Sequence, residues 1–153
     1  MKSFKSLLFL LFLIVPLTVL AGDPEWESGN AVNNCRAAMT FRDIGVRSRP
    51  LALVNEGDVG TYINCAYRVN VKDGSYRFGA VLQNYGQSNT TVNCTGVHGV
   101  DDGGGEYWTK SLDVPAGTRR YIEWRRDAGW ESNVGFQCYL PPDTGLNEIE
   151  ILK

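Results

Sequence analysis

Along most of this chain apolar and polar residues alternate with a period of two, the spacing that sends successive side chains to opposite faces of a β-strand. The clearest run is Ile63-Asn64-Cys65-Ala66-Tyr67-Arg68-Val69-Asn70-Val71, in which Ile63, Cys65, Tyr67, Val69 and Val71 share one face. Asp73-Gly74 then predicts a tight hairpin turn, because glycine accepts positive φ and aspartate tolerates it. The chain is expected to return over residues 76–82 with Tyr76, Phe78, Ala80 and Leu82 inward. Residues 84–89 make a polar loop, and a strand begins at Thr91 with Val92 and Cys94 on one face. Residues 97–106 are rich in Gly and Asp and have no periodicity, which predicts a mobile loop.

Trp108, Leu112 and Val114 mark the next strand, and Pro115-Ala116-Gly117 turns it. Arg120, Ile122 and Trp124 alternate with Arg119, Tyr121, Glu123 and Arg125, giving that strand one apolar and one charged face. Val134, Phe136, Cys138 and Leu140 form a strand that Pro141-Pro142 ends, since two missing N–H donors cannot continue a ladder. Ile149 and Ile151 predict a short final strand, and segments 37–41 and 51–54 carry fainter strand patterns. No convincing helix and no internal repeat emerge. Short strands punctuated by Gly, Asn, Asp and Pro predict an all-β protein, an antiparallel β-sandwich of Ig-like or jelly-roll-like type, as a single domain over residues 22–153.

The first 21 residues have a different pattern. Lys2 and Lys5 precede an unbroken apolar run from Leu7 to Val15, Pro16 interrupts it, and Val19-Leu20-Ala21 presents small residues where a signal peptidase cuts. Residues 1–21 are therefore expected to be a signal peptide, directing a secreted or periplasmic protein. Asp23 stands where a lipoprotein would need cysteine, so no lipid anchor is expected. Beyond the signal no second apolar stretch would enter a membrane. What remains is one ordinary domain of about 130 residues. The formal charge of the whole chain is −2, and loss of the two signal lysines takes it to about −4. That balance argues against nucleic-acid binding, which needs a surplus of Lys and Arg to displace counterions from phosphates.

All four cysteines lie beyond the expected cleavage, and Cys65, Cys94 and Cys138 are in phase with apolar neighbours. Inward thiols in an exported domain are expected to pair across the core as structural disulfides, and the C-x-x-C spacing of redox and metal sites is absent. Four cysteines allow three connectivities. The sequential one, Cys35 with Cys65 and Cys94 with Cys138, would close two loops of moderate length.

The apolar leader, the four spaced cysteines, Tyr62-Ile63-Asn64-Cys65, Asp113-Val114-Pro115-Ala116-Gly117 and the run from Val134 to Pro142 together resemble a group of small exported proteins of gammaproteobacteria, particularly Xanthomonas-like and Lysobacter-like bacteria. The resemblance implies a β-sandwich with two disulfides. It brings no catalytic residue and no ligand.

Several residues invite a chemical reading. Asp101-Asp102-Gly103-Gly104-Gly105-Glu106 sets three carboxylates around flexible glycines, as a calcium loop would, but without EF-hand spacing; a solvated turn accounts for it equally well. His98 is the lone histidine, and neither Ser88 nor Ser111 sits in a nucleophile-elbow sequence, so a surface histidine is expected and not a catalytic one. Asn89 and Asn93 match the glycosylation pattern, which matters only in a eukaryote. Tyr107, Trp108, Tyr121, Trp124 and Trp130 cluster in one quarter of the chain. Trp108 and Trp124 keep phase with Leu112 and Ile122 and belong to the core. Tyr121 and Trp130 are the expected exposed rings, flanked by Arg119 and Arg125, and would form the ligand-binding face.

These features describe a monomeric, exported, non-catalytic binding or interaction protein without cofactor or metal, its partner a glycan or a protein. A carbohydrate-binding module and a small exported hydrolase are the alternatives, with a secreted inhibitor as a fourth.

Overall fold

The structure, a computed structural model, describes residues 26–38, 45–69, 75–99, 104–127 and 132–153. Eleven strands run through them: β1 (Trp26–Asn30), β2 (Cys35–Ala37), β3 (Val46–Arg49), β4 (Ala52–Asn55), β5 (Thr61–Val69), β6 (Ser75–Asn84), β7 (Thr90–Gly99), β8 (Gly105–Val114), β9 (Arg119–Asp127), β10 (Ser132–Leu140) and β11 (Thr144–Leu152). They form two antiparallel sheets. One has the order β3-β4-β11-β6-β9, with β1 also pairing β11; the other has the order β2-β5-β10-β7-β8. The antiparallel sandwich expected from the alternating pattern is what the chain builds.

The inward faces also follow the alternation. Tyr76, Phe78, Ala80 and Leu82 from β6 meet Ile63 and Cys65 from β5, and Val134, Phe136, Cys138 and Leu140 from β10. Phe78, Trp124 and Phe136 stack in succession across the sheets, with ring centroids 5.4 and 5.9 Å apart. The Trp124 indole lies flat on Gly96, where a Cβ would come within 2.6 Å of the ring. Trp108 packs half-buried at the margin, as its phase with Leu112 predicted.

Other expectations need correction. A single helical turn, α1 (Ala31–Asn34), exists: the Asn30 side chain accepts from the Val32 N–H and caps it. The segment 97–106 is not one loop. β7 continues to Gly99 and β8 starts at Gly105, because cross-strand pairing from Val97↔Tyr107 to Gly99↔Gly105 sustains a strand that composition alone disfavours. The final strand is nine residues long and lies in the middle of its sheet, bonded along one edge to β6 and along the other to β4 and then β1. The Asp73-Gly74 turn lies outside the described residues.

Both disulfides take the sequential connectivity, Cys35–Cys65 and Cys94–Cys138. They do not cross the core. Each joins directly opposed residues on neighbouring strands of the five-stranded sheet, with Cα atoms 4.1 and 4.0 Å apart. Directly opposed residues of an antiparallel pair have Cα atoms about 4.5–5.5 Å apart, which lets a disulfide close within one sheet.

A repeat hidden from residue-by-residue reading also emerges. Asn55-Glu56-Gly57 and Asn84-Tyr85-Gly86 each begin a turn that carries the chain from the six-stranded sheet to the five-stranded one. In both, the buried asparagine accepts from the glycine N–H two residues on and donates to the carbonyl four residues on, Val59 or Ser88. Its second hydrogen goes to the carbonyl that precedes a proline in the opposite turn, Leu140 or Val114. Those opposite turns match as well: Thr118 and Thr144 donate their hydroxyls back to Pro115 and Pro141, and Gly117 and Asp143 both have positive φ. The unit β4–β5 with β10–β11 is therefore repeated, two strands across the sandwich, by β6–β7 with β8–β9.

Candidate functional site

Alternation that buries one side of β5, β10, β7 and β8 leaves the other side in solvent, and the described side chains that stand there are polar but almost uncharged. Cross-strand register sorts these residues into rows. Tyr62, Tyr139, Asn93 and Ser111 form the first; Asn64, Gln137, Thr95 and Thr109 the second; Ala66, Gly135, Val97 and Tyr107 the third. Among the described side chains of this face, charge is confined to Arg36 on one edge strand and Asp113 on the other.

The rows are tied laterally. Ser111 donates to Asn93 at 2.6 Å, Gln137 donates to Asn64 at 2.7 Å, and the Thr95 and Thr109 hydroxyls meet at 2.9 Å. Each amide and hydroxyl spends only part of its bonding capacity this way and can still donate or accept outward. Three tyrosines bracket the amide row. Tyr62 and Tyr139 pair at one end, with centroids 5.1 Å apart. Tyr107, 69% exposed, stands at the other side, where small residues leave a trench of about 300 Å³ lined by Asn64, Thr95, Val97, Tyr107, Gly135 and Gln137.

Of the residues expected to bind ligand, those that are described lie on the opposite face. Arg119, Tyr121 and Arg125 do share the outward side of β9. Tyr121, however, is half-buried and not a projecting ring: a Cβ at Gly79 would sit 2.9 Å from its hydroxyl, which hydrogen-bonds Glu150. Desolvation, then the Glu150 and Glu123 charges, push its phenol far above the usual range. Glu150 is pushed up too, by desolvation and by Glu148 beside it. Arg119 donates to Gln83 and Arg125 to Ser75. Trp130 lies outside the described residues, as do Asp101 and Asp102. Glu106 faces Arg126 at 3.4 Å.

His98 is not a surface residue. It points between the sheets, buried, with its ring 6.2 Å from that of Tyr76. Ser111 is on the other side of its sheet, bonded to Asn93, so no serine–histidine pair forms there. Around His98 three polar atoms have no hydrogen-bond partner among the described residues: His98 Nε2, the Tyr76 hydroxyl and Arg126 Nε. Arg126 lays its guanidinium over the Trp108 ring, 3.0 Å from the centroid. Burial raises the Tyr76 phenol to about 12, with Arg126 opposing.

The amide rows were missed because their members read as ordinary solvent-facing residues one strand at a time. Asn64, Thr95 and Gln137 are far apart in sequence, and only the strand order brings them together.

No protein-family model and no curated protein sequence matches this chain. Solved structures do. The C-terminal family 6 carbohydrate-binding module of a marine laminarinase from Zobellia galactanivorans superposes with a TM-score of 0.53 at 9% identity, covering 84% of this chain and all (100%) of that one. A family 35 carbohydrate-binding module from Clostridium thermocellum gives 0.50 at 16% identity, covering 83% and 97%. A module of Cellvibrio mixtus lichenase 5A, solved with cellotriose, gives 0.50 at 15%, covering 83% and 96%. What the chain shares with these modules is their two-sheet sandwich fold, built on almost entirely different residues.

Proposed function

We propose that this protein is a non-catalytic module that binds a neutral oligosaccharide across the outer face of its five-stranded sheet. The observation that carries the reading is the uncharged row Asn64-Gln137-Thr95-Thr109, set beside a trench over Gly135 and bracketed by Tyr107 and by Tyr62 with Tyr139. A pyranose offers C–H faces that stack on aromatic rings and a rim of hydroxyls that both donate and accept. Amides and threonines match that rim, and the absence of charge along the row avoids the desolvation cost that an unpaired ion would impose on a neutral ligand. The row's four strands at about 4.8 Å give a platform roughly 14 Å wide, long enough to hold several sugar units. The shared fold with carbohydrate-binding modules supports the same class of ligand.

Two disulfides suit an oxidising compartment, secreted or periplasmic, where such ligands occur. No helix among the described residues is long and apolar enough to cross a membrane.

Affinity electrophoresis of the oxidised protein through gels containing β-glucan, xylan, mannan or galactan tests the reading. At least one polysaccharide retards the protein, and Tyr107→Ala and Gln137→Ala each abolish the retardation without altering the circular dichroism spectrum. Free migration in every gel, or retardation that both variants retain, overturns the assignment.

A further inference from the structure

The six-stranded sheet carries a second recess on its outer face, on the far side of the core. It is a groove of about 750 Å³, within the usual range of small-molecule sites. Arg49, Leu51 and Ala52 of the β3–β4 hairpin form one wall, and Gln83, Tyr85 and Arg119 the other. Two local irregularities create it. Gly145 has no side chain, so the Tyr85 ring lies against it; a Cβ there would come within 2.8 Å of the ring. A bulge between Leu146 and Glu148 shifts the register of β11 against β6 and sets Asn147 at the groove.

The hydrogen bonds here fix which atoms can accept. Arg119 Nε can only donate, so the Gln83 atom 2.9 Å from it is the oxygen. The Asn147 atom 3.1 Å from that same oxygen must be the amide nitrogen, which also reaches the Tyr85 hydroxyl at 3.4 Å. Asn147 is only 9% exposed, and its buried Oδ1 finds no donor among the described residues. Such an atom lacks the partner that buried polar groups nearly always have. The wall thus combines a guanidinium with N–H groups to spare, the Asp143 carboxylate and a 45% exposed tyrosine ring, with the unmet Asn147 acceptor buried behind it.

Charges in the groove balance. Arg49 pairs with Glu56, and Arg119 is matched by Asp143, so nothing favours an anion or a cation. A group that donates and accepts from neighbouring atoms and carries one apolar face is the complement. From this geometry we infer that the groove is a second saccharide site, for a short neutral sugar end stacked on Tyr85, with hydroxyls to Asp143 and Arg119. This inference rests on the proposed sugar-binding function but on a different face. The two sheets and the core stand between the sites, so both fill at once and the protein bridges two glycan chains.

The test is a titration of the oxidised, ¹⁵N-labelled protein with cellohexaose, laminarihexaose and xylohexaose in turn, following backbone amide shifts. Two groups of amides move: Val97, Tyr107 and Gly135 on one face, and Gln83, Tyr85 and Gly145 on the other. Tyr85→Ala, and independently the exposed Arg119→Ala, weaken the second group's response by at least about tenfold and leave the first unchanged. Tyr107→Ala does the reverse. If only the first group moves with every probe, the second site is refuted and the proposed function stands. Movement of the second group alone removes the five-stranded face from the proposal and keeps the groove. A protein in which neither group moves sinks both.

Discussion

Replacing Asn84 by alanine removes one side chain and orphans three backbone groups. The Gly86 N–H loses its acceptor at 2.9 Å, and the Ser88 and Val114 carbonyls lose donors at 2.7 and 2.9 Å. Only the Val114 bond is fully buried; the other two lie where water can partly replace them. A buried group left unmet costs about 1–3 kcal/mol, and each partly exposed bond roughly 0.5–1 kcal/mol, so the substitution should cost about 3 kcal/mol. For a domain of this size that corresponds to a fall in Tm of roughly 10 °C. Asn55→Ala should cost a similar amount, because it removes the same three bonds in the repeated turn. Thermal and urea unfolding of the oxidised proteins, followed by circular dichroism, measures both. Losses below about 1 kcal/mol in the two variants would refute the idea that these asparagines lock the crossovers.

Two further substitutions probe polar groups whose environment is unfavourable. Glu150 has a raised pKa, so the folded state holds its proton more tightly than the unfolded chain and stability falls as pH rises from the unfolded value toward the folded one. Glu150→Gln should therefore stabilise the protein at pH 7, with the gain vanishing below about pH 4, where the native carboxyl is protonated in both states; equal unfolding midpoints at pH 7 would argue against it. Tyr76→Phe removes a buried hydroxyl that has no partner among the described residues, and should leave stability unchanged or raise it by about 1 kcal/mol in urea titrations. A loss of more than about 1 kcal/mol would mean that the hydroxyl is satisfied by bound water.

The alternation of side chains fixed more of this protein than any motif did. A period of two along residues 63–67, 76–82 and 134–140 is enough to say which residues face inward, because burying one face of a sheet leaves only one register free of exposed apolar groups. The same alternation placed Trp124 in the core and Arg119, Tyr121 and Arg125 together on the outside. Turn chemistry was equally legible at Pro115-Ala116-Gly117 and Pro141-Pro142, since proline's missing donor acts locally.

What pairing decides could not be read this way. The glycine-rich stretch around Gly99 and Gly105 is strand because each of the two opposes the other across a ladder. His98 is buried because its strand continues past the point where composition suggests a loop. The disulfides lie within one sheet because strand order sets Cys35 against Cys65 and Cys94 against Cys138. Both candidate sites likewise depend on neighbours that only the tertiary fold supplies: the amide row spans four strands far apart in sequence, and the opposite groove needs a bulge in β11 facing β6. In the strands with clear alternation, sequence determined which way the side chains point, a matter of local backbone geometry. The tertiary structure alone decided which side chains stand side by side, because that depends on contacts between strands that the chain's order does not reveal.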